Sequence, residues 1–289
     1  MNWKFKSRII ALVEQAPMSG KVYYFLQRFL TRTIPRPFSS IEQVIRHERR
    51  HLESYFRFTG EKTPKEVFEF GAGWDLCGAL VRHKLGVNSQ RMVDLFPLAS
   101  AWQINHVINY LAAHESLGTG RISLPVNDVW SDLLSKTGIS YAAPCDAAFT
   151  NYKDKSIDLI TSTNTLEHIP LLDIKKILTE CRRILSRDGI MSMKIDYSDH
   201  YSHSDARIGP YNFLQFSEKE WARHNHIHHY QNRLRHSDYS KMFSAAGFKI
   251  LHEEWTPLPE DSTFPPLDKS FKHYLPTDLM RTEGYFVLT

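Results

Sequence analysis

Strand-like and helix-like segments alternate along the chain from residue 66 onward. Apolar runs rich in β-branched and aromatic residues, such as 66–70, 91–95 and 156–162, are each followed by a stretch with helical spacing. The stretch 171–186 places its apolar residues on one stripe of a helix. Regular alternation of this kind predicts an α/β fold, in which a mostly parallel sheet is covered by helices on both faces.

The bounds of the predicted elements follow from the apolar spacing and from glycine and proline. The patterns predict helices over 41–58, 75–84, 98–115, 127–136, 171–186 and 237–246, and strands over 66–70, 91–95, 139–141, 156–162, 190–195, 248–254 and 285–288. We expect Asp188-Gly189 to close the helix over 171–186, because glycine is common at a helix end.

Composition and cysteine usage exclude several classes of protein. The chain has 289 residues, 42% of them hydrophobic, which is enough for the core of one large domain. Its net charge of +4 gives no strong nucleic-acid signal, so we expect no nucleic-acid partner. The apolar run 9–13 is too short for a secretory signal, and the three cysteines are widely spaced. These features predict a cytoplasmic protein with reduced thiols.

The first 40 residues are more basic than the rest of the chain. Against the single acid Glu14 they carry seven basic residues, namely Lys4, Lys6, Arg8, Lys21, Arg28, Arg32 and Arg36. We predict an N-terminal helical arm over residues 1–60, and two interpretations of it remain open. The arm either packs on the domain with its charges in water, or lies on an anionic membrane surface at the inner face of the membrane.

A glycine-rich loop, Glu69-Phe-Gly71-Ala-Gly73-Trp-Asp-Leu76, joins the first predicted strand to the first helix of the alternating region. A dinucleotide-binding fingerprint needs a third glycine where Leu76 stands. Glu69 would also repel the phosphates of such a ligand. A nicotinamide oxidoreductase is therefore disfavoured, and a ligand with cationic groups, such as S-adenosylmethionine, suits the loop better.

Five segments in the same order resemble the class I S-adenosylmethionine-dependent methyltransferases, over about residues 64–255. They begin at Glu69, Arg91, Ala143, Ile157 and Arg183. The resemblance implies S-adenosylmethionine as cofactor and a Rossmann-like sheet of seven strands, with residues 61–289 as the methyltransferase domain.

The resemblance also implies roles for individual residues in cofactor binding. Glu69, Gly71 and Gly73 would lie under the methionine part, and Asp94 would bind both ribose hydroxyls. Asp146 would receive the adenine amino group. Asn164, in the loop after the fourth strand, is also assigned to cofactor binding. From the residues alone, each of these acids has a structural alternative, such as capping a helix or beginning a turn.

Candidate catalytic residues follow the fourth and fifth strands. His168 lies at the edge of the sheet where ligands of open α/β folds bind, and histidine is the natural base near neutral pH. The segment 196–236 contains 7 of the 15 histidines, and we predict an acceptor-binding insertion over about 197–236. Within it Asp199 and His200 are the other candidate catalytic residues. A purely structural role remains open for all three.

A metal site is considered and not predicted. Asp199, His200 and His203 could help to hold a divalent ion that orients acceptor hydroxyls. The segment 224–229, however, lacks any standard zinc spacing.

The predicted activity is methyl transfer to a polar small molecule or glycan, most simply to a sugar hydroxyl. A faint further resemblance, in Tyr211-Asn-Phe-Leu and Asn232-Arg-Leu-Arg235, is to bacterial methyltransferases associated with surface polysaccharides. Two alternatives stay open at this point. One is N-methylation of a small molecule, and the other is a non-catalytic protein that binds S-adenosylmethionine.

Overall fold

The computed structural model describes residues 1–17, 19–29, 33–117, 129–256 and 265–289. Its strands are β1 Val67–Phe70, β2 Gln90–Val93, β3 Ile139–Ala142, β4 Ile157–Thr163, β5 Leu185–Asp196, β6 Ile250–Thr256 and β7 Glu283–Leu288. They form one seven-stranded sheet in the order β3-β2-β1-β4-β5-β7-β6. Strands β1 to β5 pair in parallel, whereas β7 is antiparallel to both of its neighbours. The prediction of a seven-stranded, mostly parallel α/β sheet is confirmed.

The helices lie close to the predicted bounds. They are α1 Trp3–Glu14, α2 Ser19–Phe29, α3 Phe38–Thr59, α4 Cys77–Lys84, α5 Ala101–Ala113, α6 Val129–Thr137, α7 Leu171–Ile184, α8 Glu218–Trp221, α9 His236–Ala245 and α10 Pro276–Leu279. Arg32 of the predicted arm and residues 127 and 128 of the predicted helix 127–136 lie outside the described residues.

One predicted helix end is wrong. Asp188-Gly189 does not close α7, which ends at Ile184, because β5 begins at once and includes both residues. The glycine serves the sheet instead. A Cβ added at Gly189 would lie 2.7 Å from the carbonyl oxygen of Asp158, so only glycine allows this approach of β5 to β4.

Alternate residues of the strands pack on opposite faces of the sheet. Phe68 and Phe70 of β1 belong to a core cluster that includes residues of α7 and α9. Val67 of the same strand packs in a different cluster, with residues of α3. Both faces are therefore buried, which explains why the strands read as nearly continuous apolar runs. The prediction of helices on both faces is confirmed.

The predicted arm 1–60 divides into two parts. Helix α3 belongs to the layer that covers the sheet, since its Ile41 is fully buried beside α4. Helices α1 and α2 lie outside that layer, and α1 buries Trp3, Ile10 and other residues of one face. In the described part of the chain, no helix is long and apolar enough to cross a membrane.

The carboxyl ends of β1, β2, β4 and β5 meet at one edge of the sheet. Between β5 and α9 the chain forms the insertion, which includes the short helix α8. Helix α1 packs on this insertion, where Trp3 lies 5.4 Å from the ring of Tyr201. The N-terminal helices and the insertion thus stand together beside the edge where ligands of open α/β sheets bind.

Candidate active site

The glycine loop after β1 needs glycine at two positions for different reasons. Gly71 and Gly73 have φ angles of +73° and +76°, a region that side chains other than glycine rarely adopt. A Cβ at Gly71 would lie 2.3 Å from Cγ2 of Thr165, so the loop after β4 packs directly on the loop after β1. Apart from Gly73 itself and its two chain neighbours, no atom of the described structure lies within 4 Å of a Cβ at Gly73. The loop therefore leaves open space at Gly73.

Asp94 closes the same loop from the end of β2. Its Oδ2 accepts a hydrogen bond of 3.0 Å from the backbone N–H of Gly73, and its Oδ1 accepts one of 3.2 Å from Phe96. The side chain is half-buried, and this burial raises the pKa of Asp94 although the backbone hydrogen bonds oppose it. A carboxylate thus stands beside the open space at Gly73, and the predicted contact of Asp94 with the ribose stays a prediction.

Glu69 belongs to a buried ion cluster, which we call the Arg82 cluster: Arg82, Glu48, Glu69 and Gln90. The guanidinium of Arg82 is fully buried; it donates to Oε2 of Glu69 and, over 2.5 Å, to Oε2 of Glu48. The Arg82 Nε–H donates to Gln90 over 2.9 Å. One guanidinium is therefore shared by two carboxylates, and Glu69 is ion-paired within the protein. The sequence argument that Glu69 would repel phosphates did not include this partner on α4, and the role of Glu69 in cofactor binding stays a prediction.

Asp146 and Asn164 lie in loops at the same edge of the sheet. Asp146 is exposed and accepts a hydrogen bond of 2.8 Å from the backbone N–H of Ala148. Asn164 has a positive φ of 52°, and its Oδ1 accepts from the ammonium of Lys194 over 3.3 Å. Their roles in cofactor binding stay predictions.

A second polar cluster joins the ends of β4 and β5, and we call it the Glu167 cluster: Glu167, His168 and His200. One ligand atom from each of these residues lies within 4.8 Å of the other two. The Glu167 side chain is buried, and both of its carboxylate oxygens lack a hydrogen-bond partner among the described residues. Nε2 of His200 is buried and makes no hydrogen bond among the described residues, but it forms an ion pair of 3.4 Å with Oδ2 of Asp196. The cluster thus holds unused hydrogen-bonding or metal-binding capacity.

The His168 ring is fixed by the insertion. Its Nδ1 donates a hydrogen bond of 2.7 Å to the backbone carbonyl of Tyr230. The other nitrogen, Nε2, therefore carries the lone pair. The surrounding protein and the neighbouring His200 lower the pKa of His168, although solvent that reaches the exposed part of the residue screens the effect. The role of His168 as the catalytic base stays a prediction.

Asp196, and not the predicted Asp199, is the aspartate that contacts His200. The side chain of Asp199 is fully buried, where it accepts hydrogen bonds of 2.8 Å from Asn212 and from the backbone of Tyr201. Asp196 ends β5, and its Oδ2 lies 3.4 Å from Nε2 of His200. Burial acts to raise the pKa of Asp196, but His200 and the hydrogen bonds from Ser198 outweigh it and hold the pKa at about 2. The structure does not bring Asp199 to the Glu167 cluster.

The remaining histidines of the insertion do separate work. His203 is largely exposed and contacts Ser198 over 3.2 Å. His224 and His226 both contact the Ser7 hydroxyl of α1, at 2.9 and 3.0 Å. His224 and His226 therefore hold helix α1 against the insertion.

The N-terminal arm also reaches the glycine loop. Arg36, just before α3, makes a paired salt bridge with Asp75, with distances of 2.7 and 3.1 Å. The hydroxyl of Tyr24 on α2 accepts a hydrogen bond of 3.1 Å from Trp102, and the Tyr24 ring lies 5.7 Å from that of Trp74. Helix α2 thus contacts the glycine loop and, through Tyr23 stacked on His228 at 5.0 Å, the insertion as well.

Sequence reasoning missed Glu167, Asp196 and Asp75 as residues of the site. Glu167 directly precedes the predicted catalytic residue His168 in the sequence. Asp196 lies at the end of a strand, as Asp94 does. The position at a strand end was therefore an available signal for Asp196. Nothing local marked Asp75, whose partner lies 39 residues earlier.

Comparison with known proteins identifies part of the chain directly. Residues 122–193 match the model of a family described as a methyltransferase domain. No curated protein matches the sequence.

Solved structures share the fold at low sequence identity. An S-adenosylmethionine-dependent methyltransferase from Archaeoglobus fulgidus is 13% identical with a TM-score of 0.50, over 92% of this chain and 98% of that one. The 1,6-didemethyltoxoflavin-N1-methyltransferase of Burkholderia thailandensis, solved with its substrate and S-adenosylhomocysteine, is also 13% identical with a TM-score of 0.50. That match covers 94% of this chain and 90% of the other.

Proposed function

We propose that this chain, which has the sheet order of a Rossmann-like methyltransferase and a match to a methyltransferase domain over residues 122–193, transfers a methyl group from S-adenosylmethionine to a hydroxyl group of a polar acceptor. The acceptor class that we favour is a sugar or another molecule with several hydroxyls. The proposal concerns the acceptor, since methyl transfer from S-adenosylmethionine is the activity of the family.

The residues around the glycine loop fit the cofactor. The open space at Gly73 leaves room for a ligand directly over the backbone, and the half-buried Asp94 carboxylate lies beside it. A carboxylate with two oxygens can accept from two vicinal hydroxyls, as a ribose presents them. Gly71, Gly73 and Asp94 would therefore hold S-adenosylmethionine, which supplies an electrophilic methyl group when bound.

The observation that carries the acceptor proposal is the unpaired Glu167 cluster. Its loop lies against the glycine loop, since Thr165 contacts Gly71. The two Glu167 oxygens make no hydrogen bond among the described residues, and Nε2 of His200 has only the ion pair of 3.4 Å with Asp196. Buried polar groups normally find partners, so unpaired ones at a ligand-binding edge favour an acceptor rich in hydroxyl groups.

The protein's own residues would position the acceptor. Orientation accounts for much of the acceleration when two reactants are held together. Asn232 fixes the loop that carries Glu167 and His168, because its side-chain amide donates to the carbonyls of Leu166 and Ile169 over 2.8 and 2.9 Å. The acceptor would thus meet side chains whose backbone is held in place.

The first test measures cofactor binding by calorimetry with S-adenosylmethionine, S-adenosylhomocysteine and NADH. We expect binding of the first two and none of NADH. The Asp94→Ala variant should bind S-adenosylhomocysteine at least about tenfold more weakly, since a charged hydrogen-bond partner is lost. Asp173→Ala, which removes an exposed carboxylate on α7, should bind as the unmodified protein does.

The second test measures transfer of labelled methyl groups to a panel of methyl glycosides and cyclitols beside a panel of primary and secondary amines. Labelling of the hydroxyl panel alone would support the proposal. Labelling of amines alone would replace it with N-methylation, an activity named for the Burkholderia protein. Cofactor binding with no methylation of either panel would contradict the assignment to small polyols.

A further inference from the structure

The Glu167 carboxyl group is buried in a way that the protein alone does not explain. It is 1% exposed, and neither oxygen has a hydrogen-bond partner among the described residues. A second carboxylate, Asp196, ends the adjacent strand and faces the same cluster through His200. Carboxyl groups are buried at high cost unless a cation or several donors compensate them.

Lys194 of β5 is a basic residue close in sequence to Asp196, and its ammonium already has other partners. Lys194 of β5 donates to Glu283 over 2.8 Å and to Asn164 over 3.3 Å. In the Arg82 cluster, by contrast, a guanidinium lies between the two carboxylates. Among the described residues, no guanidinium or ammonium forms a corresponding ion pair with Glu167.

The three ligand atoms are close enough to share one ion. One atom from each of Glu167, His168 and His200 lies within 4.8 Å of the others. Ligands bound tetrahedrally to one ion at about 2.0–2.2 Å are separated by roughly 3.3–3.6 Å. Side-chain rotations that draw the three atoms together by up to about 1.5 Å would bring them to that separation.

The imidazole of His168 is oriented as metal-binding imidazoles commonly are. Its Nδ1–H donates to the carbonyl of Tyr230, so the lone pair of Nε2 is left for the cluster. Such an outer hydrogen bond fixes both the tautomer and the direction of a ligating ring. The His200 ring lies 4.8 Å from that of His168, and its Nε2 lies 3.4 Å from Oδ2 of Asp196, which orients this second imidazole.

We propose that Glu167, His168 and His200 bind one divalent transition-metal ion at the acceptor end of the active site. Two imidazoles and one carboxylate favour ions such as Mn²⁺, Co²⁺, Fe²⁺ or Zn²⁺ over Ca²⁺ and Mg²⁺, which prefer oxygen ligands. With three protein ligands, the ion keeps positions open for oxygen atoms of an acceptor.

The role of this ion rests on the proposed function, whereas its binding does not. An ion beside the methyl-transfer site would bind an acceptor hydroxyl as an additional ligand and lower the pKa of that hydroxyl. Two neighbouring hydroxyls could occupy two open positions at once. The site therefore favours acceptors with vicinal oxygen atoms, such as diols.

The ligand set differs from the one that the sequence analysis considered. His200 belongs to both sets. Asp199 is enclosed by its own hydrogen bonds, and His203 is largely exposed beside Ser198. The new ligands, Glu167 and His168, come from the loop after β4, so that no local spacing in the insertion reveals the site.

The test titrates the chelator-treated full chain with MnCl₂ and follows the free Mn²⁺ signal by electron paramagnetic resonance. We expect one bound ion per chain, and with Co²⁺ a visible absorption that reports nitrogen ligands. Glu167→Gln and His200→Ala should each weaken Mn²⁺ binding at least about a hundredfold, because a direct ligand is lost. His273→Ala and Glu254→Gln alter exposed side chains elsewhere and should bind Mn²⁺ unchanged.

Each variant is also tested for S-adenosylhomocysteine binding, which reports a folded cofactor site without use of the metal. Equal Mn²⁺ binding by the unmodified protein and by the folded His200→Ala variant would overturn the proposal, as would no binding of Mn²⁺ or Co²⁺. If Glu167→Gln fails to fold, His200→Ala decides. Metal binding by a protein that methylates no hydroxyl would leave the site in place and remove its proposed role in O-methylation.

Discussion

The Arg82 cluster and the Glu167 cluster both bury carboxyl groups against the same sheet, and they treat those carboxyls in opposite ways. In the first, the guanidinium of Arg82 contacts both Glu48 and Glu69, and Gln90 takes its remaining Nε–H. In the second, the two oxygens of Glu167 make no hydrogen bond among the described residues, and Nε2 of His200 has only the ion pair with Asp196. One cluster is complete within the protein, and the other is open.

The difference in pairing indicates a structural role for the Arg82 cluster and a ligand-binding role for the Glu167 cluster. Removal of one partner from a complete buried ion cluster leaves an uncompensated charge, which destabilises the fold strongly. A group that has no partner contributes little to stability, and its replacement costs little. Stability measurements on matched variants of the two clusters can therefore test the distinction without any ligand.

The largest effect is expected in the Arg82 cluster. Arg82→Met should lower the free energy of unfolding by about 3–5 kcal/mol, because Glu48 and Glu69 lose their shared counter-ion in a buried place. Urea unfolding followed by circular dichroism measures the change. Arg223→Met, at an exposed position of the insertion, should change stability by no more than about 0.5 kcal/mol. A loss below about 1 kcal/mol for Arg82→Met would show that this cluster does not hold the fold together.

An intermediate effect on the free energy of unfolding is expected for His51, a buried histidine whose two ring nitrogens both have hydrogen-bond partners. Its two ring nitrogens contact Ser192 over 2.7 Å and Thr163 over 2.9 Å. Burial and the charge of Arg82 hold the pKa of His51 well below its ordinary value of 6.5. The folded state therefore binds this proton less readily than the unfolded state, so stability is present above pH 6.5 and is lost as the pH falls below it.

The corresponding measurement is urea unfolding at a series of pH values. Between pH 6.5 and 5.5, His51 should account for a loss of about 1 kcal/mol in the free energy of unfolding. His51→Gln removes the titrating group, so its stability should fall less steeply over this range. His252→Gln, at a half-exposed position on β6, serves as the control and should keep the slope of the unmodified protein. Equal slopes for all three proteins would refute the assignment to His51.

The smallest effect is expected for Glu167. Without added metal, Glu167→Gln should change the free energy of unfolding by less than about 1 kcal/mol, because no hydrogen bond within the described protein is lost. Glu48→Gln, the matched change in the complete cluster, should cost clearly more, since Arg82 loses one of its two anions. Thermal unfolding in the presence of a chelator compares the two. Similar losses for both variants would remove the distinction between the clusters.

The fold was accessible from the sequence because periodicity and strand order are local or regular properties. The helix over 171–186 was correct in type from its apolar stripe, but its end was misplaced. Gly189 was interpreted as a helix end, whereas its role is to let β5 approach the backbone of Asp158. That reason involves a neighbouring strand, and no local pattern records it.

The site was less accessible because side chains from distant segments decide its electrostatics. Glu69 was correctly placed in the glycine loop, but the sequence argument about its charge did not include its partner on α4. Asp199 and Asp196 are three residues apart, and only the turn after β5 determines which of them faces His200. The low-pKa environment of His168 likewise depends on the insertion folding back over it.

The carbonyl of Tyr230 has a consequence for how this enzyme can be dissected by mutagenesis. It determines which nitrogen of His168 carries the proton, yet it belongs to the main chain and survives every exchange of the tyrosine side chain. An alanine scan of the insertion would therefore pass over the atom that sets the tautomer. Only a change of backbone path would reveal it, such as proline in place of Gln231, whose N–H now donates to Asn225 over 2.8 Å.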